Sequence, residues 1–421
     1  MTFTLAKFKS SDARPIIRAL MAFGSAEMVN RIVRILVVVV IARQLVPELV
    51  GVAALTLSLF ELIRVIANIG VGQKIIVAPE ALLERICNSA YKIFWKWCTA
   101  VALIQFCVAG ILHMGFDQPL AAKMLAALCG VYFFMPGGLV QCFRLMRAKK
   151  LPTVAKIGAS QTIADHLITG VLVLAWANPW AIVLPKLLTA PLWLIMMRKA
   201  EDWSFDPAKG FVSRTEILSF GVAILATDIL LALRNNLDKL IISGFLGVTA
   251  LGSYYFAFNA GIGIIGALAT AFGTVIYPYL CNPGAQTQRQ DALNFIICMG
   301  LIVFGGLSAA QFILAPIYVP LIFGDHWAHA IPLIQILSLA GIPLVLGAIT
   351  SAFLRATDRA NLDVWIGLTV CVATLSAMFA GAQLGLIEAA IGWVSGTTSI
   401  IILFLITVTT DWRSIRREKL S

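Results

Sequence analysis

In a chain of 421 residues, 60% are hydrophobic, only 13% are charged and the mean hydropathy is +0.91. A single soluble globular domain does not tolerate that balance. A hydrocarbon core of roughly 30 Å needs about 20 mostly apolar residues per helix, and the chain has room for about a dozen such helices joined by short loops. With a formal net charge of +11, this is an integral membrane protein with little left over for a soluble domain.

Apolar runs, punctuated by Gly, Pro and charge, predict twelve spans at roughly 17–43, 49–72, 92–113, 119–142, 154–176, 179–198, 217–243, 249–280, 292–315, 329–354, 361–384 and 387–410. The first follows Lys7, Lys9, Arg14 and Arg18 and contains Glu27, Arg31 and Arg34. It lacks an apolar stretch ending in a small-residue cleavage site, so it reads as an uncleaved helix rather than a signal peptide. Span 249–280 is longer than a bilayer requires, which implies tilt, a kink near its glycines or projection beyond the membrane.

The longest polar connection, "RKAEDWSFDPAKGFVSRTE" (198–216), falls mid-chain with six predicted helices on each side. The expected organisation is an all-α membrane protein with an N-terminal lobe (1–200), a cytoplasmic inter-lobe linker (201–216) and a C-terminal lobe (217–421). Two stretches, "ARQLVPELVG" (42–51) and "SGFLGVTALG" (243–252), each end a charged helix with a short turn and begin the next helix at a glycine. Placing Gly51 on Gly252 aligns helix one with helix seven and sets Arg34 opposite Asn235. Two pseudo-symmetric six-helix lobes follow, a common transporter plan with the substrate site between repeats near the midplane.

Loop charge sets the orientation. Arg144, Arg147, Lys149, Lys150, Arg198, Lys199, Lys209, Arg355 and Arg359 fall in even-numbered loops, whereas the odd-numbered loops hold no Lys or Arg. Both termini are therefore expected in the cytoplasm. The eight cysteines are scattered singly without metal-ligand spacing, as small core residues would be.

Charges also lie inside the spans. Glu27, Asn30, Arg31 and Arg34 form one stripe of helix one, and Glu61, Arg64 and Asn68 share a face of helix two. Helix five offers Gln161, Asp165 and His166, and helix six offers Lys186. In helix seven, Asp228, Arg234, Asn235, Asp238 and Lys239 fall within an arc of about 140°. A charge at the bilayer centre costs at least ~2.5–3.5 kcal/mol, so these helices must share a polar interior or a water-filled cavity. Internal pairing, such as Glu61 with Arg64 or Arg234 with Asp238, is the alternative use. Residues 1–200 hold 21 Lys and Arg against 8 Asp and Glu, a net of +13, while residues 201–421 hold 11 against 13, a net of −2. A basic interior suits an anionic cargo such as a phosphate or pyrophosphate head group, because guanidinium grips phosphate oxygens in pairs.

"LVPELVGVAALTLS" with "NIGVGQKII", "RNNLDKLIISGFLGVTALGSYYFAFN" and "PLIFGDHWAHAIPLIQILSLAG" resemble the polysaccharide-transporter branch of the multidrug/oligosaccharidyl-lipid/polysaccharide (MOP) exporter superfamily. The resemblance implies a MATE-like fold of about 12 transmembrane helices and a Wzx-type flippase in the bacterial inner membrane. Such a protein moves undecaprenyl-pyrophosphate-linked oligosaccharides to the periplasmic leaflet for O-antigen, capsule or exopolysaccharide synthesis. It implies alternating access, proton or sodium coupling, and a polysaccharide polymerase or export machinery as partner. Asn236, Asp238 and Lys239 match the family's polar core in helix seven. Cargo contacts are expected at Arg31, Arg34, Arg64, Lys186, Asn30 and Asn235, and coupling or gating at Asp238, Asp228, Arg234, Lys239, Glu61 and Asp165. No catalytic residue, metal, organic cofactor or nucleic-acid partner is expected.

Two other readings compete. A multidrug exporter of the same superfamily would favour an acid-rich cavity, against the basic first half. A membrane glycosyltransferase or polymerase would need a sizeable loop carrying carboxylates or metal ligands, and the odd-numbered loops are short apart from 316–328. "DHWAH" (325–329) there reads as a turn rather than a metal site. No GxxxxGK[ST] stretch supports an ATP-driven pump.

Overall fold

The computed structural model describes residues 30–418 apart from 32, 69 and 282–285; Glu27 and the basic residues before it lie outside the described residues. Within them the chain is helical, with no strand. Residues 30, 31 and 33–44 form α1, followed by α2 (Pro47–Ile66), α3 (Val71–Val77), α4 (Leu83–Gly115), α5 (Pro119–Ala127), α6 (Val131–Phe134), α7 (Pro136–Arg147), α8 (Leu151–Ala175), α9 (Trp180–Leu188) and α10 (Ala190–Ala200). Then come α11 (Arg214–Ala260), α12 (Ile262–Cys281), α13 (Gln286–Tyr318), α14 (Ile331–Ser338), α15 (Gly341–Ala356), α16 (Ala360–Ala382) and α17 (Leu386–Glu418). Among the described residues nine helical segments are long and apolar enough to cross a membrane, or ten if the bent pair Pro119–Phe134 and Pro136–Arg147 is one span. Leu103, Phe106, Leu174, Ile302, Ile313 and Val372 are left uncovered by protein, as lipid-facing positions of such helices are.

Several spans expected as single helices are interrupted, each for a reason readable in the residues. The second stops at Ile66, where Trp97 donates its indole N–H to the freed Ile66 carbonyl at 2.7 Å. The chain then turns through Gly70 at φ 72°, a left-handed conformation that glycine adopts without strain. The fourth bends by 53° at Pro136, which has no N–H to continue the ladder. The long eighth breaks at Gly261, where the Gln311 amide donates to the Ala260 and Gly261 carbonyls at 2.8 and 3.1 Å. The tenth divides before Gly341, whose missing side chain leaves room for Ser308 and Ile265. Gly247, at φ 82° and ψ 176°, breaks α11 in its C-terminal third.

The chain divides into two compact units: the first comprises the described residues to Gln44 together with Thr56–Asn236, the second Leu45–Leu55 with the residues from Leu237 on. Both α2 and α11 therefore run from one unit into the other. Val71, Ile75, Ile86, Phe94, Val140 and Phe143 make a core of the first, where Gly72 lies under the Phe143 ring. The core of the second is built by α12, α13, α15, α16 and α17 through residues such as Ile276, Phe304, Ile349, Phe353, Val370 and Ile401.

Inside the second unit the two glycines paired by the repeat argument meet. A Cβ on Gly51 would lie 1.7 Å from the Val248 carbonyl oxygen, and one on Gly252 would lie 1.7 Å from the Pro47 carbonyl oxygen. Val248 and Pro47 each stand four residues before the glycine of their own segment, so the contact is reciprocal. The two segments cross backbone to backbone, and only glycine permits that approach.

Residues 201–213 are strapped onto the first unit. Asn88, with 0% exposure, donates its amide to the Asp206 and Gly210 carbonyls at 2.6 and 3.2 Å. Gln141 donates to the Trp203 carbonyl, Arg85 to that of Phe211, and Ser89 exchanges hydrogen bonds with Val212. Arg144 joins Glu84 to Glu201, both at 2.8 Å, while Trp203 and Lys209 close on Glu84. Tyr91 stacks on Phe205 at 5.1 Å, and Lys92 sits 3.7 Å over Phe211. Removing the Asn88 amide leaves two carbonyls without their donor, a cost of about 1–3 kcal/mol. Asn88→Ala should therefore speed cleavage after Lys209 by Lys-specific protease roughly fivefold or more; an unchanged cleavage rate would show that the strap does not depend on it.

Candidate functional site

In the first unit a cavity of about 330 Å³ is lined by α2 (Phe60, Glu61, Arg64), α8 (Gln161, Thr162, Asp165), α9 (Lys186) and α10 (Ala190, Trp193), with Val131, Met135, Leu139 and Thr189 completing its wall. Two helices contribute at the same spacing of i, i+1 and i+4, which places three side chains on one face. Four of the charged residues singled out from the sequence are thus brought to one cavity: Glu61, Arg64, Asp165 and Lys186.

They stand as two pairs. Arg64 directs Nε and Nη2 to a single Glu61 oxygen, at 3.0 and 2.6 Å. Lys186 Nζ lies 2.7 Å from Asp165 Oδ2, joining α9 to α8. Asp165 is only 5% exposed, and its other oxygen, Oδ1, is buried without a hydrogen-bond partner among the described residues. A buried carboxylate of this kind depends on its cation, because removing one partner leaves an uncompensated charge in a medium that solvates it poorly. The Thr162 and Thr189 hydroxyls donate back to the Gly158 and Pro185 carbonyls, which leaves their oxygens as acceptors.

The other expected site residues lie elsewhere. Asn30 and Arg31 are half-buried and Arg34 is exposed on α1, which packs on α8 where Val37 covers Gly170. None of the three lines the cavity. Asp228, in the first unit, accepts a 2.6 Å hydrogen bond from Asn68, two residues beyond α2, joining residues 160 apart in sequence. Arg234 and Asn235 are exposed, and Asn236 donates to the Ala232 carbonyl of its own helix.

In the second unit, Asp238 and Lys239 are buried, at 4% and 9% exposure. Lys239 Nζ reaches both Asp238 oxygens, at 3.0 and 3.3 Å, and lies 5.3 Å from the Phe258 ring centre. Tyr254, fully buried, donates its hydroxyl to Asp238 Oδ2 at 3.1 Å. Nothing in the sequence signals this bond, which joins residues sixteen positions apart. The "DHWAH" stretch forms a single 3₁₀ segment, Asp325–Ala330. Its Trp327 is buried against Phe256, and His329 bonds Ser253 and the His326 carbonyl.

Residues 40–332 match the model of a family described as polysaccharide biosynthesis protein. Over 293 residues the chain is 23% identical to the lipopolysaccharide biosynthesis protein WzxC of Escherichia coli (strain K12), a match that takes in 68% of this chain and 58% of that protein. Among solved structures, the lipid II flippase MurJ in an inward closed conformation superposes with a TM-score of 0.75 at 13% identity, covering 95% of this chain and 91% of that one. A multidrug resistance MATE family transporter of the MOP superfamily, inward-facing, gives a TM-score of 0.69 at 14% identity, covering 92% and 96%. At such identities the likeness establishes the fold, which is the all-helical fold expected from the sequence.

Breaking the Asp165–Lys186 pair from one side has a defined cost. Lys186→Met should destabilise the purified protein by about 3–5 kcal/mol, and adding Asp165→Leu should recover most of that loss. Thermal unfolding in detergent reads both; a Lys186→Met protein as stable as the parent would mean that Asp165 is not held by Lys186.

Proposed function

The chain belongs to the family of polysaccharide biosynthesis proteins, and from that premise we propose that it is a flippase for a lipid-linked oligosaccharide. The cargo is an undecaprenyl-pyrophosphate-linked repeat unit, carried from the cytoplasmic to the periplasmic leaflet of the bacterial inner membrane for exopolysaccharide, capsule or O-antigen synthesis. The observation that carries this reading is the cavity of the first unit, where Glu61, Arg64, Asp165 and Lys186 put four charged groups on membrane-length helices. A sugar diphosphate cannot enter hydrocarbon unaided, since burial of its charges and hydroxyls without partners is costly. A polar cavity replaces the lost water while the polyprenyl chain stays in lipid.

Arg31 and Arg34 on α1 receive the pyrophosphate, where their guanidinium forks suit its oxygens. Asn30 and Asn235 add hydrogen bonds to the cargo. The cavity opens to the two leaflets in turn, and a proton or sodium gradient drives the cycle. Asp238 is the coupling group. Its buried carboxylate is balanced by the adjacent Lys239 and by Tyr254, so a bound proton or sodium ion competes with Lys239 for the same oxygens. Glu61 and Asp165 instead balance cations in the cavity, and Asp228 binds Asn68. The distribution of loop Lys and Arg puts both termini in the cytoplasm, and a polysaccharide polymerase or export machinery takes the flipped product.

Deletion of the gene should make lipid-linked oligosaccharide accumulate on the cytoplasmic leaflet, and the wild-type gene should clear it. The Arg31→Ala, Arg34→Ala double variant should leave it accumulated at normal protein level. Asp238→Asn should clear it slowly and with little response to collapse of the ion gradient. Absence of accumulation in the deletion would overturn the flippase reading, and wild-type clearance by either variant would overturn that residue assignment.

A further inference from the structure

Arg64 and Lys186 are expected cargo contacts, and the geometry of the cavity they line points away from phosphate. Arg64 turns Nε and Nη2, two adjacent donors of its fork, onto Glu61, and Lys186 is committed to Asp165. The two cations are thus matched by two carboxylates at the same wall. A phosphate placed there would meet Glu61 and Asp165 as like charges and find the best guanidinium edge occupied.

What the cavity does offer is unspent hydrogen-bond acceptance beside aromatic surface. Asp165 Oδ1 is buried without a partner among the described residues, in a side chain only 7% exposed. An orphaned carboxylate oxygen in a built site calls for a donor. The Thr162 and Thr189 hydroxyls already donate to backbone, so at these two lining residues only acceptance is left. The Gln161 amide supplies both a donor and an acceptor. Trp193 is seated by Gly138, where even a methyl group would come within 2.7 Å of its ring. The chemistry that answers this set is a neutral polyhydroxylated ring: several O–H donors for the acceptors, and an apolar C–H face for the indole. At about 330 Å³ the cavity is at the small end of ligand sites and holds roughly one or two sugar rings.

We propose that this cavity is a sugar subsite, in which Asp165 accepts from ring hydroxyls and Trp193 packs on the ring face, separate from the groups that meet the cargo's phosphates. The inference rests on the flippase reading for the source of the sugar, but not for the binding chemistry. It makes Arg64 and Lys186 positioning residues, which fix Glu61 and Asp165 rather than touch phosphate.

The test uses the full chain purified in detergent and saturation-transfer NMR. The probes are glucose, galactose, mannose, N-acetylglucosamine and their β-linked disaccharides, with inorganic pyrophosphate as competitor. At least one sugar should give transfer. Trp193→Ala and Gln161→Ala, each checked for an unchanged melting temperature, should weaken its binding at least about tenfold. Raised salt and pyrophosphate should leave binding intact. Asp165→Asn should weaken it too; if that variant does not fold, the other two decide. Absence of transfer from every sugar, binding unaltered in both Trp193→Ala and Gln161→Ala, or displacement by pyrophosphate would each overturn the subsite. The flippase reading fails by a different result, absence of lipid-linked oligosaccharide accumulation in the deletion strain, and sugar binding by the purified protein is read independently of it.

Discussion

An ionised side chain at the centre of a bilayer costs at least ~2.5–3.5 kcal/mol, and the arrangement of this chain follows from how that cost is met. Four of the intramembrane charges stand beside partners: Arg64 with Glu61, Lys186 with Asp165, Lys239 with Asp238, and Asp228 with an amide. Pairing lowers the cost but also neutralises the charge, so a surplus of basic residues in the first half does not translate directly into a cationic cavity. Among the described residues one free valence belongs to the cavity: a carboxylate oxygen of Asp165 that neither Lys186 nor the backbone satisfies. Polar groups retained at such expense, in a segment that hydrocarbon would otherwise surround, are the basis on which the cavity is proposed as the place where a polar cargo replaces water.

The same constraint governs the backbone. A helix that breaks inside a membrane frees carbonyls that have no water to turn to. At Ile66 the Trp97 indole fills that role, and at Ala260 and Gly261 the Gln311 amide does. Proline and glycine set where these breaks occur, and side chains from neighbouring helices make them tolerable. Gly51 and Gly252 serve a different purpose, since each lets the other's segment approach to backbone contact.

Much of this is legible in the amino-acid order, and the limits have physical causes. Hydropathy reports the membrane class because burial in lipid demands long apolar runs, and helical spacing reports that Glu61 and Arg64 share a face. The pairing of Lys186 with Asp165 lies between helices 21 residues apart, and that of Asp228 with Asn68 spans 160 residues. No periodicity within one helix encodes such partners. The strap at 201–213 was read as a polar connection from its charges, yet Trp203, Phe205 and Phe211 were the sign of docking, because three aromatic residues in a free linker would expose apolar surface. Pro136, Gly70 and Gly261 were visible as punctuation, but whether each ends a helix, bends it or turns it depends on which neighbour satisfies the freed carbonyl.

The central claim is that the cavity of the first unit receives sugar of a lipid-linked oligosaccharide during transfer. The most direct measurement is lectin accessibility of a lipid-linked oligosaccharide in proteoliposomes, comparing the wild-type chain with Thr162→Trp, which fills the cavity from its α8 wall. The account predicts that wild-type protein exposes the sugar to lectin on the opposite leaflet, and that the filled variant, folded to the same melting temperature, does not. Transfer by Thr162→Trp at the wild-type rate would contradict it.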